Sequence, residues 1–149
     1  FEPGSRADPT VDSDDNTIRL TNRLVIAEGD KWTSMWSGVY EIQEVNGVET
    51  TWLSLGARPQ YHFTDHKMIA IELGIDQVEP DGAASRQLYK LTIAPQIMVG
   101  RSFWSRPALR GFLTYATWNQ GAEDAGIDVG NAFSSKSGLT LGVQAEAWW

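Results

Sequence analysis

The sequence predicts an all-β protein, a transmembrane antiparallel β-barrel wall with no helices of note, and three observations carry that prediction. Side-chain character alternates with a period of two from about residue 18 onward, because successive side chains of a strand point to opposite faces. Several candidate strands exceed ten residues, against a globular mean of about five or six and a membrane requirement of about 9–11. Aromatic residues gather at strand ends on the apolar side, where a barrel wears an interfacial girdle. These are Tyr61 and Phe63 before one turn and Trp149 at the C-terminus.

Residues 1–17, FEPGSRADPTVDSDDNT, are rich in Pro, Gly, Ser and Asp and read as an external loop or tail. A start without Met is expected to be mature, processed or cut from something longer. Residues 18–149 hold seven candidate strands at 18–28, 31–44, 50–63, 67–78, 86–99, 102–118 and 138–149. In the first, Ile18, Leu20, Leu24 and Ile26 oppose Arg19, Thr21 and Arg23. The second fits less well, since Trp32, Trp36, Tyr40 and Ile42 share a face with Ser34 and Gly38. In the third, Leu53, Leu55, Ala57, Pro59, Tyr61 and Phe63 oppose Trp52, Ser54, Gly56, Arg58, Gln60 and His62. The fourth sets Ile69, Ile71, Leu73 and Ile75 against Ala70, Glu72, Gly74 and Asp76. In the fifth, Tyr89, Leu91, Ile93, Pro95 and Ile97 face away from Lys90, Thr92, Ala94 and Gln96.

The sixth strand carries both of its charges, Arg106 and Arg110, on the face that also holds Trp104, Ala108, Phe112 and Thr114. The last, SGLTLGVQAEAWW, separates Leu139, Leu141, Val143, Ala145, Ala147 and Trp149 from Thr140, Gly142, Gln144, Glu146 and Trp148. The connections EGDK, FTDH and VGRS read as tight turns. EVNGVET, EPDGAAS and the segment 119–137 read as longer loops, so the two ends of the meander face different environments.

Composition excludes several classes of function. A chain of 149 residues suits one domain, and the absence of cysteine removes disulfides and thiolate metal sites. A net charge of −7 argues against a nucleic-acid partner. There is no apolar run long enough for a transmembrane helix, and mild mean hydropathy is what a barrel with alternating faces shows.

Catalytic and metal readings are weak. Glu72 and Asp76 invite a glycosidase reading, but four positions along a strand span about 13–14 Å, too far for either geometry. No enzyme is expected. His62 and His66 straddle a turn without a third ligand and read as solvated turn residues. Asp12, Asp14 and Asp15 have calcium-type oxygens, though a solvated acidic loop is the default. Neither metal nor cofactor is called for. Arg106 and Arg110 sit four apart on one face, with Glu72, Asp76 or Glu146 as candidate partners.

The segments GDKWTSMWSGVYEI, LGARPQYHFT, SFWSRPALRGFLTYATW and GVQAEAWW, in that order over about residues 17–149, resemble the C-terminal portion of the maltoporins. These are sugar-specific outer-membrane porins related to sucrose porins. The resemblance implies the last seven strands of a barrel of roughly eighteen, assembled as a homotrimer in outer-membrane lipid. It implies an external loop at 119–137, a phage-receptor role for such loops, and strands outside this sequence pairing with both sheet edges.

It also implies facilitated diffusion of maltose, maltodextrins or related oligosaccharides along an aromatic slide that includes Trp104 and Trp148. Rings hold the C–H faces of the sugar. Arg106, Arg110, Glu72 and Asp76 are then possible polar contacts to its hydroxyls, with Trp149, Tyr61 and Phe63 at the membrane interface. The competing reading is a soluble carbohydrate-binding β-sandwich, which would also alternate and expose tryptophans. Its apolar faces would meet in one dry core.

Overall fold

The computed structural model describes residues 15–126 and 136–147. They form one antiparallel sheet of seven strands in simple sequence order: β1 (Asn16–Glu28), β2 (Trp32–Val45), β3 (Val48–His62), β4 (Lys67–Pro80), β5 (Arg86–Met98), β6 (Ala108–Trp118) and β7 (Ser137–Glu146). One short helix, α1 (Gln120–Asp124), lies between β6 and β7. The sheet does not close on itself among the described residues, so β1 and β7 are its edges.

Register fixes which side chains share a face. Opposite partners such as Trp36 with Ala57, Ala57 with Leu73, Leu73 with Leu91, Leu91 with Tyr115 and Tyr115 with Leu139 form one row across the sheet. That row belongs to the apolar face. Its counterpart carries Glu41, Arg58, Glu72, Lys90, Arg110 and Glu146.

Burial is inverted relative to a soluble domain. Leu55, Leu73, Ile97, Leu109 and Val143 on the apolar face are exposed, and Leu141 is 80 % exposed. On the polar face Gln60 and His62 are 2 % exposed, and Glu41, Gln96 and Arg110 are also buried. Water would penalise such an arrangement by roughly 25 cal/mol for each Å² of apolar surface left bare. Hydrocarbon would not. The two sheet faces required by a sandwich are absent among the described residues, and no dry core gathers the leucine and isoleucine side chains.

Ring contacts strengthen the apolar face at one end. Trp32 meets Tyr61 edge-on at 5.0 Å, and Tyr61 meets Phe63 likewise at 5.2 Å. The awkward second strand is accommodated because Trp36 Nε1 donates to Ser34 Oγ at 3.1 Å, satisfying the indole on the apolar side. Pro59 and Pro95 stand inside paired strands, where a missing N–H interrupts a ladder. Regular pairing skips Arg58 and Pro59 against β4, and Ala94 and Pro95 against β6.

Three features depart from the sequence reading. EVNGVET is a two-residue hairpin, not a longer loop: Val45 pairs with Val48, and Asn46 and Gly47 both take positive φ, 54° and 74°. Such a pair matches the twist of the flanking strands. The sixth strand begins at Ala108 rather than 102, so the third short connection is a turn spanning 99–107 instead of VGRS alone. A single turn of helix interrupts the segment 119–137. Asn119 caps it by accepting from Ala122 N at 3.0 Å, while its Nδ2 donates to Ser85 O at 2.8 Å and its Oδ1 also accepts from Gln87 N at 3.1 Å.

Two outcomes test this arrangement. Leu141→Arg should impair insertion, since a charge near the bilayer midplane costs about 2–4 kcal/mol; the folded fraction read by heat-modifiable gel migration should fall, and normal assembly would show that Leu141 does not face lipid. Asn119→Ala should raise hydrogen exchange at the Ala122 amide about fivefold, the equivalent of a lost cap of about 1 kcal/mol. Unchanged exchange there would mean that the helix turn does not depend on Asn119.

Candidate functional site: the polar wall

Strand alternation delivers the site. Every second residue of β1 to β7 projects from the polar face, and small residues between the charged ones leave room for recesses. Gly56 and Gly74 are direct partners across β3 and β4. A Cβ at 56 would approach Ser37 Oγ to 2.8 Å, so the wall there is as thin as a sheet allows. This dent has a volume of about 270 Å³ and is bordered by Ser54, Arg58, Glu72, Asp76 and Lys90.

The charges are organised in pairs that cross strands. Glu72 is flanked by two cations, with Lys90 Nζ at 3.1 Å and Arg58 Nε farther off at 3.9 Å. Glu146 takes Arg110 at 2.6 Å and Arg106 at 2.9 Å. Of the three carboxylates considered for these arginines, Glu146 holds both. Asp76 accepts instead from the indole Nε1 of Trp52 at 2.6 Å. The same Trp52 lies beneath the Arg19 guanidinium, 5.7 Å from its ring centroid, and Arg19 also pairs with the buried Glu41. Fixed pairs of this kind are charge-assisted hydrogen bonds, whose geometry positions donors without added motion.

The turn 99–107 reaches back over the polar face. Arg101 donates to the carbonyl of Asp30, 71 residues away in sequence, at 2.8 Å, and pairs with Asp65 at 2.8 Å. Phe103 is buried, with the Arg58 guanidinium 5.7 Å from its ring centroid. Trp104 is half exposed and stands edge-on to Phe103 at 5.1 Å. Trp104 is therefore not a strand residue. It sits on the turn, beside a recess of about 340 Å³ that it shares with Val25, Thr33 and His62 of the polar wall.

Other residues named from sequence fall as follows. Trp148 and Trp149 lie outside the described residues, as do Asp12 and Asp14. Tyr61 and Phe63 stand with Trp32 on the apolar side next to the turn 63–66. Asp15 accepts from Asn46 N at 2.8 Å, tying the start of β1 to the two-residue turn. His62 is not a solvated turn residue: it is buried on the polar wall, its Nε2 lying 2.9 Å from Thr33 Oγ1. His66 is exposed, with Nδ1 at 3.2 Å from Met98 O. No three His, Cys, Asp or Glu side chains gather as a metal cluster among the described residues.

Two aromatics of the polar wall escaped the sequence reading as site residues, Trp52 and Phe112. Their signal was present, since both fall in the charged set of an alternating strand. Phe112 lies across Gly142 of the neighbouring strand, where a Cβ would come within 2.5 Å of its Cζ. A ring packed over glycine on a polar wall places an apolar surface among ionic groups.

A wall with exposed aliphatics on one side and paired charges, small residues and aromatics on the other separates lipid from a water-filled bore. The comparison with known families agrees with that geometry. The model of the LamB porin family matches residues 2–149, almost the whole sequence, and the chain belongs to the LamB porin family of outer-membrane β-barrel pores.

Proposed function

We propose that the chain is the C-terminal wall of a sugar-selective pore, through which maltose, maltodextrins or related oligosaccharides diffuse along aromatic side chains. The observation that carries this reading is the inverted burial, with apolar rows exposed and Glu41, Gln60, His62, Gln96 and Arg110 of the opposite face buried. Such a wall has no need of a reacting group. It requires a graded row of weak sites that admit a sugar and let it leave.

In this reading Trp104 and Trp148 are the stacking plates, and Arg106, Arg110, Glu72 and Asp76 present hydrogen-bonding edges to the sugar hydroxyls. Glu146 already orients both arginines, which supports their acting as a fixed fork of donors. Trp149, Tyr61 and Phe63 mark the membrane boundary, which puts residues 1–17 and 119–137 at the outer surface, accessible to phage. The sheet edges β1 and β7 carry unpaired backbone groups that hydrocarbon cannot satisfy, at several kcal/mol each. Further strands of a barrel of roughly eighteen cover them, and three such barrels associate.

The test is current block by maltodextrin in planar bilayers holding the full-length protein. Trp148→Ala and Trp104→Ala should each weaken binding about threefold to tenfold, the loss of one stacking contact of about 0.5–1.5 kcal/mol. Ion conductance should be intact or raised. Unchanged sugar affinity in either variant would remove that residue from the slide.

A further inference from the structure

The polar wall carries an imbalance that a channel for neutral sugars does not require. On the strands, Arg19, Arg23, Arg58, Arg86, Lys90 and Arg110 outnumber Glu41, Glu72, Asp76 and Glu146, although the whole chain has a net charge of −7. The excess is concentrated. Glu72 is shared by Arg58 and Lys90, and Glu146 by Arg106 and Arg110. Each carboxylate thus neutralises one of the two cations it holds, leaving the patch positive.

Between these clusters lies a recess of about 180 Å³, lined by three cations, Arg58, Lys90 and Arg110, by one carboxylate, Glu72, and by Phe112 and Thr114 among others. The Nε–H groups of Arg58 and Arg110 are buried there without an acceptor among the described residues. The Lys90 side chain is 42 % exposed and so stands partly in the bore. Thr92 and Thr114 share a hydrogen bond of 2.7 Å, and the Phe112 ring, packed close over Gly142, gives an apolar surface.

We propose that this recess is a subsite for saccharides bearing an anionic substituent, a carboxylate or a phosphate. The inference rests on the sugar-pore reading and adds a substrate class to it. The ring of the sugar lies on Phe112 while its anionic group enters between Lys90 and the two guanidiniums, whose donor forks match carboxylate and phosphate oxygens. Three cations against the single carboxylate Glu72 leave the recess net positive, and a cleft with an excess of one sign of charge focuses its field. Neutral sugars gain nothing from that field.

The experiment compares half-blocking concentrations for a neutral maltooligosaccharide, a uronate-bearing oligosaccharide of equal length and a sugar phosphate, using the full-length protein in planar bilayers. At 0.1 M salt the anionic sugars should block at about tenfold lower concentration than the neutral one, the ratio approaching one at 1 M salt, where screening acts within about 3 Å. In Lys90→Gln and, separately, in Arg58→Gln, the ratio at 0.1 M should shrink to about threefold or less. Heat-modifiable migration confirms that each variant is folded.

Equal block by charged and neutral sugars in the unaltered protein would overturn the proposal while leaving the sugar pore standing. So would a ratio unaffected by both variants. Inorganic phosphate blocking as well as the sugar phosphate would overturn the saccharide assignment. Failure of every sugar to block would overturn the sugar-pore reading itself, and this proposal with it.

Discussion

The constraint beneath the whole structure is that a backbone in hydrocarbon must satisfy its hydrogen bonds from within. A continuous antiparallel ladder, each strand bonded to the next in order, meets that demand along all the internal strands. The ladder then dictates everything else. Because side chains alternate, one set is committed to lipid and the other to water, and no residue on a strand escapes the choice. The exposure of Leu141 and the burial of Gln60 are two results of one geometric rule.

On the wet side the same rule concentrates charge. Strands lie about 4.8 Å apart, so an arginine on one strand and a glutamate on the next are within easy reach, and the wall builds its ion pairs across strands rather than along them. Glu72 with Arg58 and Lys90, and Glu146 with Arg110, are of this kind, and Arg106 of the turn 99–107 joins Glu146 from outside the strands. Glycines at Gly56, Gly74 and Gly142 thin the wall beside these pairs. Polar donors, apolar plates and shallow dents therefore alternate over a short distance, and that mixture is what a sugar's two-sided surface can recognise.

Much of this was legible in the sequence, because period-two alternation is a local property. The cores of β1 to β5 and of β7, and the facing of their charges, follow directly from it. Where contacts are non-local, the pattern misled. Phe103, Trp104, Ser105 and Arg106 continue the alternation on paper, yet they belong to a turn drawn over the wall by Arg101 and the distant Asp30 carbonyl. The burial of His62 has the same origin, since the lid above it comes from another part of the chain. The turn at Asn46 and Gly47 carried a recognisable hairpin signal, but strand ends set too short disguised it as a loop. Partner choice for the arginines was narrowed to three carboxylates by sequence and decided by register, which no single strand reveals.

The turn 99–107 has a consequence for how such a passage changes over time. Its aromatic pair, Phe103 and Trp104, lies over the polar face on a turn that Arg101 ties to both Asp30 and Asp65, so in a closed barrel this overhang, as well as the circumference of the wall, would set the opening at this end. Aperture and girth are thereby separate variables. Exchanges among a few overhanging residues can widen, tighten or re-flavour the exit while every greasy contact with the surrounding bilayer stays as it was.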